Sequence, residues 1–285
     1  MKRLLFVLSA LLGLALFLPD SALSQVLDSK PRDGVYDKKT ISQVQPIPYP
    51  YLREADVIWT KRIWRVVDLR EKMNQPFYYP ESPQNQWRSF AQILWDGLKE
   101  GTITAYNDDV DDQFTSPMTF KEIQDRVESR DSILVPDPDN EDQMIWAPKI
   151  TTFEAADVRE FLVKEDYYFD RQRSVFEVRI LGICIVKPKM VEGINVGKQR
   201  LFWVYFPDCR NLFAQNEIFN LKNGAAGRMT YDDVFMKRMF SSYIYKEENV
   251  YNRTIANYAG GVDALLESER IKNSLQEFEA NLWEY

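Results

Sequence analysis

The pattern of apolar and polar positions is clearest in residues 175–206, where it predicts two strands. In residues 175–186 apolar side chains first alternate with polar ones and then become continuous, and residues 201–206 form a second apolar run that Pro207 ends. Period-two alternation and short runs of β-branched and aromatic residues are typical of strands. Polar residues 187–200 join the two segments. Together they predict an antiparallel pair at the centre of a sheet.

Helical spacing predicts several helices around this sheet. Apolar residues recur at intervals of three and four after Ser82 and Pro83, up to Gly101. Residues 55–73 are predicted as a helix or a helix-strand unit. Further helix starts are indicated by a threonine with an acidic residue three positions later, which forms a capping box. These pairs are Thr119 with Glu122, Thr151 with Glu154 and Thr230 with Asp233.

A long helix is predicted at the end of the chain, over residues 262–283. Its apolar side is formed by residues spaced four and three apart: Ala264, Ser268, Ile271, Leu275, Phe278 and Leu282. This spacing suits packing against a partner helix. Because it lasts only about two and a half heptads, packing within the chain is favoured over a coiled coil. The combined pattern predicts an α+β fold with a central, mostly antiparallel sheet flanked by helices.

The first 24 residues have the layout of a secretory signal peptide. Lys2 and Arg3 precede an apolar run of about 15 residues, and Pro19 and small residues follow it. A membrane anchor is the alternative, but a span needs about 20 apolar residues. We therefore expect cleavage after Ser24 and export from the cytoplasm. No cysteine lies near that position, so no lipid attachment is expected there.

An extended, proline-rich arm is predicted over residues 25–50, ahead of a single globular α+β domain over residues 51–285. The arm has no apolar periodicity. At its end, prolines alternate with other residues, among them Tyr49, and Tyr51 follows directly after it. Alternating prolines favour an extended, stiff chain. The arm is predicted either to lie along a neighbouring subunit or to serve as a terminal tether, and the pattern does not separate the two.

The chain is acidic, and its acidic residues are concentrated in one segment. The net charge is −7, and loss of residues 1–24 would make it −8. Residues 108–142 contain twelve acidic side chains against three basic ones, and Asp108, Asp109, Asp111 and Asp112 are the densest group. A nucleic-acid partner is not expected from this charge. The segment is either a solvated loop region or a docking surface for a basic partner.

No cofactor or metal is expected. The sequence lacks histidine, which removes histidine-based triads and histidine-ligated zinc. Two acidic runs begin like a calcium loop, but neither has the required Gly at position six or Glu at position twelve. The remaining enzymatic alternative is a periplasmic hydrolase that uses a carboxylate pair such as Glu165 and Asp170. Non-enzymatic binding is favoured over it.

The cysteine pair is predicted to be unbonded. Export favours a disulfide between Cys184 and Cys209. However, a hairpin with Val186 opposite Arg200 would place Cys209 about seven positions from Cys184, or about 23 Å along the strand. A disulfide tolerates roughly 7 Å between Cα atoms. Because the separation exceeds this limit, two free thiols are favoured over the disulfide that export would suggest.

Five stretches of the chain resemble the GldN/PorN family of periplasmic gliding-motility and type IX secretion proteins. They are READVIW with KRIWR (53–59, 61–65), DLREK leading to YYP (68–72, 78–80), DRQRS running into VRILGI (170–174, 178–183), FWVYFP (202–207) and KRMFSSYIYKEENVY (237–251). The last is the most specific. The similarity covers most of the chain after about residue 49.

This resemblance implies a non-enzymatic ring subunit without catalytic residues. It implies partners of two kinds: a GldK/PorK-type outer-membrane lipoprotein and the periplasmic segment of a GldM/PorM-type protein, together with self-association. Candidate interface residues follow from the aromatic arm, the acidic segment and the chain end. They are Tyr49, Tyr51, Asp108, Asp109, Asp111, Asp112, Trp283 and Tyr285.

Overall fold

The computed structural model describes residues 43–84, 87–107, 113–137, 140–191, 194–219 and 228–282. In these ranges the strands are β1 (Val57–Asp68), β2 (Ala105–Tyr106), β3 (Pro117–Met118), β4 (Ser129–Asp137), β5 (Asn140–Thr151), β6 (Glu160–Asp170), β7 (Val175–Val191), β8 (Ile194–Tyr205), β9 (Glu217–Ile218), β10 (Met229–Thr230) and β11 (Tyr243–Glu247). The helices are α1 (Gln75–Tyr78), α2 (Phe90–Lys99), α3 (Phe120–Val127), α4 (Phe206–Ala214), α5 (Tyr231–Met236) and α6 (Val262–Asn281).

Seven of these strands form one sheet in the order β11-β1-β6-β7-β8-β2-β3. Every neighbouring pair in it is antiparallel. The predicted α+β class with an antiparallel sheet is therefore confirmed. The predicted hairpin is β7 and β8, and Val186 pairs with Arg200 as assumed. Its strands are longer than predicted, because most of the polar residues 187–200 continue the ladder beyond the apolar segments.

The prediction for residues 55–73 is wrong in its helical part. A 3₁₀ turn at Glu54–Asp56 leads directly into the twelve-residue strand β1. This strand lies between β6 and β11, and its residues 63–67 are buried without interruption. A strand that is covered on both faces shows no alternation, so its pattern is not separable from that of a buried helix.

Local capping signals located two of the predicted helix starts. The threonine hydroxyl and the acidic side chain exchange hydrogen bonds with the backbone both at Thr119–Glu122, where α3 begins, and at Thr230–Asp233, where α5 begins. The start predicted at Ser82 is too early. Helix α2 begins after Ser89, whose hydroxyl oxygen accepts a hydrogen bond from the Gln92 amide at 3.4 Å.

The third predicted capping box, at Thr151 and Glu154, does not start an α-helix. A 3₁₀ turn at Ala155–Asp157 follows Glu154, which makes no side-chain cap there. The apolar residues after it, including Phe161 and Leu162, belong to β6. The pairing of β6 with β1 and β7 outweighs the local helix signal.

The main core lies between one face of the sheet and helices α1, α2, α4 and α5. Most of its large buried side chains are aromatic and come from all of these elements: Phe77, Phe90, Phe161, Phe206, Phe213, Tyr231 and Phe235. A second cluster lies under α6, where Ile271 and Leu275 pack with Ile63 and Ile244 of the sheet. The apolar side of α6 therefore packs within its own chain.

The two cysteines are buried free thiols. Cys184 lies on β7, and Cys209 lies on α4 because the chain turns into this helix at Phe206. The predicted separation of about 23 Å requires β8 to continue through Cys209. Strand β8 instead ends at Tyr205, so the predicted path of the chain is wrong, although both cysteines are unbonded as predicted. Burial raises the pKa of the Cys209 thiol, which keeps it protonated and unreactive.

Candidate functional site

The end of the arm is fixed to the domain through Tyr49. Its ring lies between two guanidinium groups, with the Arg210 carbon 4.5 Å and the Arg179 carbon 5.1 Å from the ring centroid. The Arg179 Nη2 also donates a hydrogen bond of 2.6 Å to the Pro50 carbonyl oxygen. Cation–π contacts of this kind stabilise most strongly when they are shielded from water. Tyr49, Pro50, Arg179 and Arg210 are referred to below as the Tyr49 anchor.

Other side chains hold the two arginines of the anchor in place. Arg210 donates to both carboxylate oxygens of the buried Asp232, at 2.9 and 3.0 Å. Arg179 also lies over the ring of Tyr168, at 5.1 Å. Burial raises the pKa of Tyr49 to about 12, outweighing the opposite effect of Arg210. The phenol therefore stays neutral at physiological pH, and its ring face is the part that binds the guanidiniums.

On both sides of the anchor, apolar side chains face solvent. Ile47 is 82% exposed and Tyr51 is 87% exposed. Of the predicted interface residues, Tyr49 contacts its own domain and Tyr51 projects from it. Six others lie outside the described residues: Asp108, Asp109, Asp111, Asp112, Trp283 and Tyr285. The signal peptide and residues 25–42 of the arm also lie outside them.

Removal of the Tyr49 ring should release this end of the arm. In Tyr49→Ala, trypsin should cleave after Arg53 roughly tenfold faster, because the ring contributes about 1–2 kcal/mol to local docking. The matched control is Tyr51→Ala, which removes an exposed aromatic two residues away and should cleave at the unaltered rate. Equal cleavage of the two variants would show that Tyr49 does not hold the arm.

A buried charge cluster lies deeper in the same domain, on β1, β6 and the segment before β11. Glu165 is fully buried, and its Oε2 accepts hydrogen bonds from Arg65 Nε at 3.0 Å and Arg238 Nη2 at 3.1 Å. Arg238 Nη1 lies 2.9 Å from the other carboxylate oxygen. Arg65 also donates to the Tyr167 hydroxyl at 2.8 Å. The two guanidinium groups of Arg65 and Arg238 thus share one carboxylate, that of Glu165.

The cluster forms the floor of a cleft of about 590 Å³ beside α6. Lys272 and Glu279 of that helix line the cleft together with Ser241 and the two arginines of the cluster. Arginine side chains from β1 and from the segment before β11 contact both carboxylate oxygens of Glu165. The arrangement therefore stabilises the junction of the sheet and α6.

The carboxylate pair Glu165 and Asp170 does not form a hydrolytic site. The two residues are five positions apart on β6, which places them on opposite faces of the sheet and about 16 Å apart along the strand. Glycosidase pairs are about 5–9.5 Å apart. Asp170 is paired with Arg173 at 2.7 Å, which lowers the pKa of its carboxyl group.

A second cleft, of about 570 Å³, lies on the surface beside α1 and is lined by aromatic rings and prolines. Its apolar lining consists of Leu69, Pro76, Tyr78, Tyr79, Pro80 and Phe219. The Phe219 ring lies 4.9 Å from Tyr79 and 5.1 Å from Trp87 between centroids. We refer to this cleft, with Trp87 behind it, as the aromatic groove.

Sequence reasoning missed the residues that build these features. Arg179 and Arg210 are 129 or more positions from the arm that they bind, and Glu165 is 73 positions from Arg238. The available signal was the spacing of aromatics and prolines in the segments YPY (49–51) and YYP (78–80).

Among the described residues, no group of three or more acidic or cysteine side chains has the arrangement of a metal site. Within the same ranges, none of the helices combines the length and apolar character that crossing a membrane requires.

One comparison with known proteins assigns a family. The family model described as "Gliding motility associated protein GldN" matches residues 52–284. This range contains the charge cluster, the aromatic groove and both arginines of the anchor, and it begins just after Tyr49 and Tyr51. No curated protein matches the chain.

Proposed function

The chain belongs to the GldN family of gliding-motility proteins, and from this premise we propose that it is a structural subunit of the gliding-motility and type IX secretion machinery. In this proposal it is exported to the periplasm and lies at the outer membrane, where many copies assemble into a ring with a GldK/PorK-type lipoprotein. It also contacts the periplasmic segment of a GldM/PorM-type protein. The single observation that carries the proposal is the family match over residues 52–284.

The surface of the described residues supports a role in assembly. Besides Ile47 and Tyr51, large apolar side chains are exposed after β11 and on the outer side of α6: Val250, Tyr251, Val262, Leu265 and Leu266. Val250 is 97% exposed and Tyr251 is 77% exposed. Grouped exposed apolar residues mark surfaces that bind other proteins. A ring needs two different surfaces on each subunit, and we propose these positions as candidates for them.

The charged residues of the domain also support a role in assembly and do not support a role in catalysis. Two buried acidic groups, Glu165 and Asp232, are paired with arginines and hold secondary structure elements together. The carboxylates of the hydrolase alternative do not converge, as described above. A binding subunit needs no further chemistry from these groups, so we propose that the chain is not an enzyme.

Co-purification with the lipoprotein partner tests the proposal. The mature chain should form assemblies many times the mass of one copy when the GldK/PorK-type lipoprotein of the same cell is present. Mass photometry or sedimentation measures this directly. A monomer whose mass is unaffected by the lipoprotein would overturn the proposal.

Deletion of residues 25–48 should weaken this assembly several-fold while the fold is retained. The Tyr49 anchor remains in the deleted protein, so the thermal unfolding temperature should be unaltered. The matched control replaces the same residues with a Gly/Ser linker of equal length, which restores reach but not the prolines. If the deletion assembles normally, the arm is a tether and has no role in assembly.

A further inference from the structure

We propose that the aromatic groove of one copy binds the proline-rich arm, residues 43–48, of a neighbouring copy. The inference rests on the proposed self-association and specifies one of its contacts. Both surfaces belong to this chain and are present in the described residues, and their chemistry is complementary.

The arm has the properties of a polyproline ligand. Pro46, Pro48 and Pro50 alternate with other residues, which restricts the chain to extended geometry before it binds. Little conformational freedom is then lost on binding. Ile47 projects between two of these prolines and is 82% exposed, so the apolar edge of the arm is uncovered in the single chain.

The groove has the properties of a polyproline receptor. Such receptors present flat aromatic rings on which proline rings lie. In the groove, Tyr79 and Phe219 provide these rings, and Trp87 supports Phe219 from behind. Tyr79 is 39% exposed, so its ring is accessible from solvent.

Hydrogen-bond donors are placed at the edge of the groove. A polyproline helix leaves its carbonyl oxygens without internal partners, so a receptor must provide N–H or O–H groups beside the rings. Gln75, Gln84 and Arg159 line the groove and carry such groups. Within the described part of the chain, the guanidinium of Arg159 has no hydrogen bond or ion pair. The arm segment itself carries no charge, so no ion pair has to be broken or desolvated.

A neighbouring copy is the natural source of the arm. The Tyr49 anchor fixes the point where the arm leaves its own domain, and no residue of 43–51 lines the groove of the same chain. The six residues 43–48 span about 19 Å at about 3.1 Å per residue. The segment can therefore extend up to about 19 Å from the anchor.

Disulfide trapping between two separate variants tests the contact. Ile47→Cys is placed in one full-length protein and Gln84→Cys in another, and the two are mixed with the lipoprotein partner under mild oxidation. The native cysteines are buried and do not compete. The mixed disulfide should form at least fivefold faster than in the control mixture of Ile47→Cys with Leu266→Cys, whose second cysteine is exposed on α6. Equal rates would overturn the inference.

Loss of the groove rings should abolish this preference. Tyr79→Ala, added to the Gln84→Cys protein, should reduce the trapping rate several-fold, and so should Arg159→Ala. The control Tyr243→Ala removes a ring of similar exposure on β11 and should leave the rate unaltered. A trapping rate that neither Tyr79→Ala nor Arg159→Ala lowers would contradict the proposed contact.

Three further outcomes separate the inference from the proposed function. If Ile47→Cys and Gln84→Cys in one chain give a disulfide within a monomer, the arm occupies its own groove and the inference is wrong. If the large assembly forms but trapping stays at the level of the control, another surface holds the neighbours, and only the inference fails. If no assembly forms with the lipoprotein, the proposed function fails, and the contact between copies fails with it.

Discussion

Substitution of Glu165 by alanine should lower the free energy of unfolding by about 3–5 kcal/mol, because it leaves two guanidiniums without their shared counterion. Glu165 is fully buried, and the side chain of Arg65 is only 9% exposed. Arg65 has almost no access to water, whereas Arg238 is 35% exposed and lines the cleft beside α6. Urea unfolding followed by tryptophan fluorescence measures the loss.

The neighbouring residue provides the matched control. Asp166 pairs with Arg62 through two hydrogen bonds of 2.6 and 2.8 Å, but its side chain lies on the opposite face of the strand and is 22% exposed. Asp166→Ala should therefore cost at most about 1 kcal/mol, as is usual for solvent-exposed ion pairs. Equal losses in the two variants would show that the buried cluster makes no special contribution.

The same cluster explains what the most specific family-like stretch does. Residues 237–251 supply Arg238 to the cluster and then form the edge strand β11. Between them, the Ser241 amide donates to the Asn74 side-chain oxygen at 2.9 Å, and the Asn74 amide group donates back to the Ser241 carbonyl at 2.9 Å. The stretch therefore closes one edge of the sheet and attaches it to the turn after β1.

Arg238 has a backbone φ of +52°, which a non-glycine residue adopts at a cost in free energy. The structure around it offsets this cost. The left-handed conformation ends the turn after α5 and aims the guanidinium at Glu165, where it makes the ion pair described above. Arg238→Gly would remove the backbone strain but would also remove the ion pair with Glu165. The position therefore uses the arginine side chain and not only the left-handed backbone conformation.

The parts of the fold that the sequence predicted are those set by neighbouring residues. The β7–β8 hairpin was predicted because its strands are close in the chain and its apolar pattern is strong. The capping boxes at Thr119 and Thr230 depend on residues three positions apart. In each case the physical cause lies within a few residues, so a local pattern carries it.

The parts that it did not predict depend on distant partners. Strand β1 is central because β6 and β11 pair with it from residues about 100 and 180 positions away. Its own pattern of apolar and charged residues fits a helix as well, and only pairing decides between them. The start of β6 was mistaken for a helix for the same reason.

The candidate site shows the same division. Tyr49 was predicted as an interface residue from its place among prolines, and it does make a contact, although with its own domain. The arginines that receive it lie on β7 and α4, and no local signal connects them with the arm. The aromatic groove likewise joins residues of α1 with Phe219, about 140 positions further along the chain.

The aromatic core depends most on Phe235 of the short helix α5. Its side chain is 1% exposed. Its ring contacts six other rings at centroid distances of 5.3–6.2 Å: Phe77, Phe90, Phe161, Phe206, Phe213 and Phe240. A six-residue helix is not stable by itself, so α5 is held in place by this packing.

Phe235→Ala should therefore lower the free energy of unfolding by about 3–5 kcal/mol, through lost burial and the cavity that the surrounding rings cannot fill. Phe235→Leu, which keeps most of the apolar volume, should cost clearly less. The control is Met236→Ala on the same helix, where the side chain is 44% exposed and the change should stay within about 0.5 kcal/mol. Urea unfolding of the three variants measures these differences. If Phe235→Ala were no worse than Met236→Ala, the rings around Phe235 would not act as one packed unit, and α5 would have to be held mainly by its capping box and the Arg210–Asp232 pair.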